Sequence, residues 1–241
     1  VIARAHQAGL HFSPRHLFQS PTVAGLASVA EKAPVVHAEQ GVVVGVVPLT
    51  PIQQWFFEQS FAVPGHWNQA FLLEVRKPLD VEAFRDALGA VLVHHDTLRM
   101  RFAQTAEGLR QTGAGWDDRV PFEHIDLSSL PQDERAATLE AGIAEAQAGL
   151  DLAKGPLVRV VHFDMGPQQA GRLLMVIHHL VVDGVSWRIL IEDLLLGYGR
   201  RLQREEINLP AKTTSFKYWA ERLVEYARSE AVQDAAEPGR R

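Results

Sequence analysis

The sequence has 241 residues, of which 46% are hydrophobic and 22% are charged, a balance typical of a soluble globular protein. This length fits one large domain or two small ones. The net charge of −5 gives no reason to expect nucleic acid or an anionic membrane as a partner. Cysteine is absent, which excludes disulfides and a thiol nucleophile and suits a cytoplasmic location. No apolar run approaches the ~20 residues of a membrane helix, and the N-terminus does not resemble a signal peptide.

The N-terminal part predicts two short helices followed by a linker. The first helix covers Val1 to Ala8, and because the chain opens inside this helical pattern, it is expected to come from a longer protein. Ser13 is a predicted N-cap, and a further helix follows Pro21. Residues 31–46 lack a helical period and are interpreted as a linker that ends as a strand.

The next helix has a clear start signal. Thr50 can cap it, Pro51 suits its first position, and Gln53 is placed to bond back to the cap. Its predicted buried face consists of Ile52, Trp55 and Phe56. A loop then leads into the predicted strand Ala70 to Val75.

The middle of the chain mixes helices with strands. Asp80 caps a predicted helix, and the strand Leu98 to Phe102 follows it. The buried face of this helix is predicted to contain Phe84, Leu88, Val91, Leu92 and His95. His94 and His95 end the helix, where its dipole favours a polar or positive group, so this pair is interpreted as structural. Residues 104–119 contain three glycines and predict a hairpin-like loop.

Further elements complete a predicted α/β layered domain with a mixed sheet. A strand over Pro121 to Leu127 precedes a helix from Leu130 to about Gly149. The strand Pro156 to Phe163 is expected to pair with Leu173 to Ile177. A last helix should bury four apolar residues, Phe216, Trp219, Leu223 and Tyr226, and residues 229–241 are expected to be a disordered tail.

The stretch LLMVIHHLVVDGVSWRILIEDLLLGY concentrates the residues that can carry chemistry. A buried strand, Leu173 to Ile177, delivers His178 and His179 to a loop. Adjacent residues of an extended chain point to opposite faces, so one histidine can face a cavity while the other packs inward. Imidazole titrates near neutral pH, so a positioned histidine can take or give a proton. A histidine in this position can equally be an ordinary core residue.

The residues after this pair are interpreted as structural. Gly184 can adopt backbone angles closed to other residues, which would permit a sharp turn. Asp183 is predicted to form a charge pair with an arginine, either Arg99 or Arg101. The following helix is predicted to bury Trp187, Leu190, Ile191, Leu194, Leu195 and Tyr198. No metal is expected at the His178-His179 pair, because neighbouring histidines on a strand diverge and no further Cys or His cluster completes a shell.

Four strings resemble segments of one class of multidomain enzyme. HHLVVDGVSW (residues 178–187) resembles the HHxxxDG signature of the condensation superfamily of nonribosomal peptide synthetases, and its Ser-Trp ending is similar to that of epimerization domains. PLTPIQQWFFEQ (48–59) resembles the first motif of epimerization domains, whereas condensation domains carry a Ser-x-x-Gln version. HHDTLRMRF (94–102) resembles the second motif of the superfamily, in which Arg99 would be structural. GLHFSPRHLFQSPTVAGLA (9–27) is similar to the end of a peptidyl carrier domain.

The resemblance implies a domain organisation. Residues 1–30 would be the C-terminal remnant of a carrier domain, and residues 47–228 the N-terminal lobe of an epimerization domain. The implied fold is an α/β lobe like that of chloramphenicol acetyltransferase, with a mixed β-sheet and packed helices. Two such lobes would enclose a tunnel that holds the active site. The glutamate-bearing motif of the second lobe, of the EGHGRE kind, has no match in this sequence.

The implied reaction is inversion from L to D at the α-carbon of an aminoacyl or peptidyl thioester. The substrate would ride on the phosphopantetheine arm of a carrier domain, and no cofactor would bind the lobe directly. His179 would move the proton or stabilise the enolate, opposite the glutamate of the second lobe. Supporting roles are implied for His178, Asp183, Gly184, Trp187 and Arg99. The expected partners are the loaded carrier domain, the second lobe and neighbouring synthetase modules.

Three alternatives remain open. The same histidine would assist an attacking amine in a condensation domain that forms amide bonds between carrier-bound substrates. The second alternative is a stand-alone acyltransferase that uses coenzyme A, because chloramphenicol acetyltransferases and related acyltransferases carry similar strings. A lobe that only docks carriers, without catalysis, is the third.

Overall fold

The computed structural model describes residue 5, residues 9–32, residues 38–230 and residue 232. The chain forms two compact units, Val1–Ala38 and Glu39–Arg241. All but one residue of the predicted helix Val1 to Ala8, and most of the predicted disordered tail, lie outside the described residues. None of the described helices is both long enough and apolar enough to cross a membrane.

The first unit contains two short helices and a two-stranded sheet within its described part. These elements are β1 (Leu10–His11), α1 (Pro14–Gln19), α2 (Val23–Val29) and β2 (Glu31–Lys32). Ser13 caps α1 as predicted, and its side chain accepts a hydrogen bond from the backbone N of His16. The first two residues of the predicted linker form β2, which pairs antiparallel with β1.

The second unit contains seven strands and five helices among its described residues. The strands are β3 (Gly45–Val47), β4 (Asn68–Val75), β5 (Met100–Thr105), β6 (Gly108–Gly113), β7 (Phe122–Asp126), β8 (Val158–Asp164) and β9 (Gly171–His178). The helices are α3 (Pro51–Glu58), α4 (Val81–His94), α5 (Gln132–Ala148), α6 (Gly184–Leu202) and α7 (Phe216–Ala227). Two 3-10 turns, Pro64–His66 and Asp96–Arg99, precede β4 and β5.

The strands of the second unit form two sheets. One has the order β3-β6-β5, so the loop predicted over residues 104–119 contains a true hairpin strand. The other has the order β4-β9-β8-β7, in which β7 and β8 are parallel and the other pairs antiparallel. The predicted mixed sheet and the predicted pairing of β8 with β9 are therefore confirmed, with Val160 opposite Met175.

The four-stranded sheet has a separate core on each face. Because side chains alternate along a strand, neighbouring residues of β8 and β9 enter different cores. One core combines α4 and α6 with Val158, Val160, Leu173, Met175 and Ile177. The other combines α5 with Val161, Phe163, Leu174 and Val176. This layering of helices on both faces is what holds the end of β9 in place.

Three predicted helix faces are partly wrong. On α3, Phe56 is buried as predicted, but Ile52 and Trp55 are 68% and 46% exposed, and the helix buries Gln53 in their place. The amide of Gln53 explains this orientation, because it reaches both the backbone N of Thr50 (3.0 Å) and the carbonyl of Leu180 (3.5 Å). Three further residues predicted to be buried are also exposed, Leu195 of α6 and Trp219 and Tyr226 of α7.

Candidate functional site

The two central histidines lie at the end of β9, and their environments differ as strand alternation predicts. His178 is the last residue of β9, pairs with Asn68 of β4, and is 0% exposed. His179 is exposed, and its backbone N donates to the carbonyl of Trp67 (2.9 Å). The sheet therefore ends by presenting one imidazole to the surface and enclosing the other.

The ring of His178 is fixed by one bond at each nitrogen. The backbone N of Leu180 donates to Nδ1 (3.2 Å), so Nδ1 is the acceptor and Nε2 carries the hydrogen that binds the carbonyl of Pro64 (2.9 Å). Phe56 packs edge-on against the ring, with 5.7 Å between centroids. Burial lowers the pKa of His178, which favours this neutral form. Its contacts link the loop after β9 to the 3-10 turn before β4.

The ring of His179 carries its hydrogen on the opposite nitrogen. Nδ1 lies 2.8 Å from the carbonyl of Val182, which can only accept, so Nδ1 donates. Nε2 lies 3.2 Å from the side-chain nitrogen of Gln69. A neutral ring that donates through Nδ1 has its lone pair on Nε2, so Nε2 accepts from the amide of Gln69.

Gln69 is a site residue that the sequence did not identify. It lies on β4 opposite Ile177, and its Oε1 accepts a hydrogen bond from Nε1 of Trp187 (2.8 Å). Indole nitrogen can only donate, so this bond fixes the orientation of the amide and turns its NH₂ group toward His179. Hydrogen bonds thus connect Trp187 to Gln69, Gln69 to His179 and His179 to Val182 in one continuous series. Pairing of β4 with β9 creates it across 110 residues of sequence.

Trp187 is buried in the first turn of α6, at 4% exposure. Its ring packs edge-on against Phe71 of β4, with 4.7 Å between centroids. The sequence predicted this residue as an anchor for the helix. Its indole N–H additionally orients Gln69, and so links α6 to the exposed histidine.

Asp183 caps α6, and the predicted charge pair with an arginine is wrong. Its Oδ1 accepts from the backbone N of Val185 (3.1 Å) and from both the backbone N and the hydroxyl of Ser186 (2.7 Å each). The hydroxyl of Ser186, followed by the backbone donors, lowers the pKa of Asp183. Arg99 is buried elsewhere and pairs with Asp96 (2.6 Å). A helix N-terminus supplies several local donors to Asp183, so a distant cation is unnecessary.

Arg101, the other candidate partner, donates to the carbonyl of Met100 (2.8 Å). Gly184 is the first residue of α6 and is absent from the positions with positive φ, so the predicted special backbone turn is wrong there. A Cβ at Gly184 would meet nothing within 4 Å. The backbone beside Asp183 is therefore open to solvent.

These contacts present a base at a protein surface. His179 is exposed, and the lone pair of its Nε2 accepts from the amide of Gln69 over 3.2 Å, at the long end of the usual range. Such a bond can be exchanged for a contact with a substrate at small cost. The arrangement is suited to proton transfer at a bound molecule.

Comparison with known proteins gives a family and two structural relatives of differing similarity. The condensation domain family model matches residues 43–237. The structure of the epimerization domain from the third module of tyrocidine synthetase B is 42% identical, with a TM-score of 0.77, over 83% of this chain and 45% of that one. The starter condensation domain of rhizomide synthetase is 21% identical, with a TM-score of 0.63, over 77% of this chain and 45% of that one, and supports the fold alone. These matches confirm the α/β fold with a mixed sheet and packed helices.

The curated relatives are large peptide synthases. A linear gramicidin synthase of Brevibacillus parabrevis is 52% identical over 232 residues, which cover 96% of this chain and 4% of the relative. Tyrocidine synthase 1 of the same organism is 37% identical over 228 residues, which cover 94% of this chain and 20% of the relative. The chain thus spans a small part of the length of these relatives. Since the family model covers most of the second unit, the chain belongs to the condensation domain family of nonribosomal peptide synthetases.

Proposed function

We propose that residues 47–228 form the N-terminal lobe of an epimerization domain, which inverts the α-carbon of a carrier-bound aminoacyl or peptidyl thioester from L to D. The observation that carries the proposal is the exposed ring of His179, whose Nε2 lone pair is oriented by Gln69. A proton-transfer reaction needs such an accessible base. The resemblance of residues 1–30 to the end of a carrier domain fits a substrate held on a phosphopantetheine arm.

Two comparisons favour epimerization over condensation. The solved epimerization domain shares 42% of its aligned residues with this chain, whereas the starter condensation domain shares 21%. The helix α3 begins with Pro51, Ile52 and Gln53 followed by Trp55 and Phe56, the pattern typical of epimerization domains. The active site of condensation domains uses a similar histidine, so the histidine alone does not separate the two reactions.

The reaction follows from the acidity of the α-proton. His179 Nε2 takes this proton, and the electron pair of the broken C–H bond delocalises into the thioester carbonyl as an enolate. A glutamic acid of the second lobe returns a proton to the opposite face of the α-carbon, which gives the inverted centre. Exchange with water then restores the neutral imidazole and the protonated glutamate. Well-positioned acid–base catalysis of this kind contributes about 10²–10⁴-fold to the rate.

The neighbours of His179 would hold it ready for this step. The bond from Nδ1–H to the carbonyl of Val182 keeps the lone pair on Nε2 and stabilises the ring when it becomes positive. Gln69 leaves Nε2 as the substrate arrives, while its Oε1 stays bound to Trp187. His178 fixes the loop through Leu180 and Pro64. The partners of the lobe would be the loaded carrier, the second lobe and adjacent synthetase modules.

The test uses the whole synthetase, with the carrier loaded, in deuterated water. His179→Ala should lower deuterium incorporation at the α-carbon and formation of the D-residue by at least 10²-fold. His124→Ala is the matched control, because His124 is an exposed histidine on β7, at the opposite edge of the sheet from β4. Exchange at the normal rate in His179→Ala, with unchanged circular dichroism, would remove His179 from the mechanism.

The same assay separates the alternatives. A condensation domain would join two loaded carriers by an amide bond and incorporate no deuterium at the α-carbon. A lobe that only docks carriers would bind the loaded carrier and give neither product. Either result for the unmodified synthetase would overturn the epimerization proposal.

A further inference from the structure

A second group of histidines lies away from His179, where α4 ends against the middle of α6. Nε2 of His95 is 2.7 Å from Oδ2 of Asp193, and one ring nitrogen of His94 completes a group whose ligand atoms all lie within 4.8 Å of one another. Asp193 follows Asp183 by ten residues on α6, about 15 Å along the helix. This group is therefore separate from the exposed histidine.

We propose that His94, His95 and Asp193 form a site for a single Zn²⁺ ion that joins α4 to α6. Two imidazoles and one carboxylate are a ligand set that zinc uses, with the fourth position left to water. The site is additional to epimerization and does not depend on it.

The spacing is close to that of a coordinated ion. Zinc bonds of about 2.0–2.1 Å in a tetrahedral shell place neighbouring ligand atoms roughly 3.3 Å apart. Nε2 of His95 and Oδ2 of Asp193 are slightly closer than this, at 2.7 Å, because a hydrogen bond joins them. His94 needs a movement of about 1.5 Å at most, which side-chain rotation can supply. Zinc would replace the proton on His95 Nε2.

The ligands differ in how well they are already paired. Asp193 is a buried carboxylate, 7% exposed, and His95 is its hydrogen-bond partner among the described residues. The ring of His94 packs edge-on against His95, with 4.9 Å between centroids, but its nitrogens make no hydrogen bond within the described part of the chain. A polar ring with free nitrogens beside a buried carboxylate is the arrangement that a cation would complete.

Two cations lie near the site, and both are held by another carboxylate. Asp96 accepts from Arg99 (2.6 Å) and from Lys212 (3.1 Å). Asp96 therefore partly neutralises the two positive charges, which weakens their electrostatic effect on Asp193. A cavity of about 380 Å³, lined by His94 and Lys212 among others, opens beside the ring of His94.

The test measures zinc binding by the metal-free 241-residue chain. Calorimetry should give one Zn²⁺ per chain, and Zn²⁺ at 100 times its Kd should raise the Tm by about 5–10 °C. Mg²⁺, which prefers oxygen ligands, should have no effect at the same concentration. Co²⁺ in place of Zn²⁺ should give the intense visible absorption of a tetrahedral site.

Variants tie the binding to these three side chains. His94→Gln and Asp193→Asn should each weaken Zn²⁺ binding by at least 10²-fold, and Asp193→Asn keeps an oxygen that can accept from His95. His124→Gln, in the other histidine pair, should bind as the unmodified chain does. No zinc binding, or equal binding by His94→Gln, would overturn the proposal. If metal-free Asp193→Asn has a lower Tm while Zn²⁺ does not change the Tm of the unmodified chain, the His95-Asp193 contact is a hydrogen bond and not part of a zinc site.

Discussion

Replacement of Gln69 by leucine tests whether the Trp187-Gln69 contact organises the site. Leucine is similar in size but can neither accept from the indole of Trp187 nor donate to His179. The indole N–H would remain buried without an acceptor, because Trp187 is 4% exposed. An unpaired buried donor costs about 1–3 kcal/mol, so the free energy of unfolding should fall by that amount.

A double-mutant cycle separates this bond from other effects of the substitution. In a Trp187→Phe background no buried donor is left, so Gln69→Leu should cost little. The coupling between the two substitutions should be about 1–2 kcal/mol, within the range measured for residues in direct contact. Urea unfolding followed by far-ultraviolet circular dichroism measures all four proteins without depending on tryptophan fluorescence.

The control for this cycle is Gln54→Leu. Gln54 is exposed on α3, and within the described residues its amide makes one long bond (3.4 Å), to the carbonyl of Leu49. Its replacement should change stability by at most about 0.5 kcal/mol. Equal losses from Gln69→Leu in both backgrounds, or no loss in either, would refute the argument that Trp187 holds the amide.

Two further predictions concern charge. Asp183→Ala should lower the free energy of unfolding by about 1 kcal/mol, and Asp183→Asn by much less, because asparagine is also a good N-cap. Urea unfolding measures both variants. A loss of about 3–5 kcal/mol in Asp183→Asn would instead indicate a buried charge pair. Burial lowers the pKa of His178 and of His162 below the ordinary value of about 6.5. The unfolded chain therefore binds protons at these two histidines more readily than the folded chain does. The stability that they contribute is present above that pH and is lost as the pH falls through their folded pKa values. Urea midpoints at pH 7.5 and 5.5 should therefore differ, with less stability at pH 5.5 and a smaller difference in His162→Gln; an equal difference in that variant would contradict the assignment.

The features that sequence predicted best depend on neighbours within one turn or one strand. Thr50 and Gln53 form the capping box expected of them, and Asp80 accepts from the backbone N of Ala83. His178 and His179 differ in burial as adjacent strand residues should. In each case the controlling contacts come from residues four or fewer positions away, or from the alternation of the strand itself.

The features that sequence missed depend on which elements meet. Gln69 acquires its role only because β4 pairs with β9 and α6 covers that face. Gln69 was expected in the loop before the predicted strand Ala70 to Val75, whereas β4 begins at Asn68 and includes it. Asp183 was assigned to a distant arginine although the helix after it, with Ser186 three positions on, already favoured an N-cap. On α3 the apolar pattern pointed to Ile52, whereas the hydrogen bonds of Gln53 decide which side is buried.

The two adjacent histidines can have different chemistry because their hydrogens are on different nitrogens. His178 donates through Nε2 to Pro64 and accepts at Nδ1 from Leu180, so Nδ1 cannot take a proton without losing a buried hydrogen bond. His179 donates through Nδ1 and offers Nε2 at the surface, where a side-chain amide is its one contact among the described residues. A proton added to His178 would be a buried charge, and burial accordingly lowers the pKa of that ring. Under the proposed mechanism, His179 is the member of the pair whose accessible nitrogen exchanges a proton with the substrate.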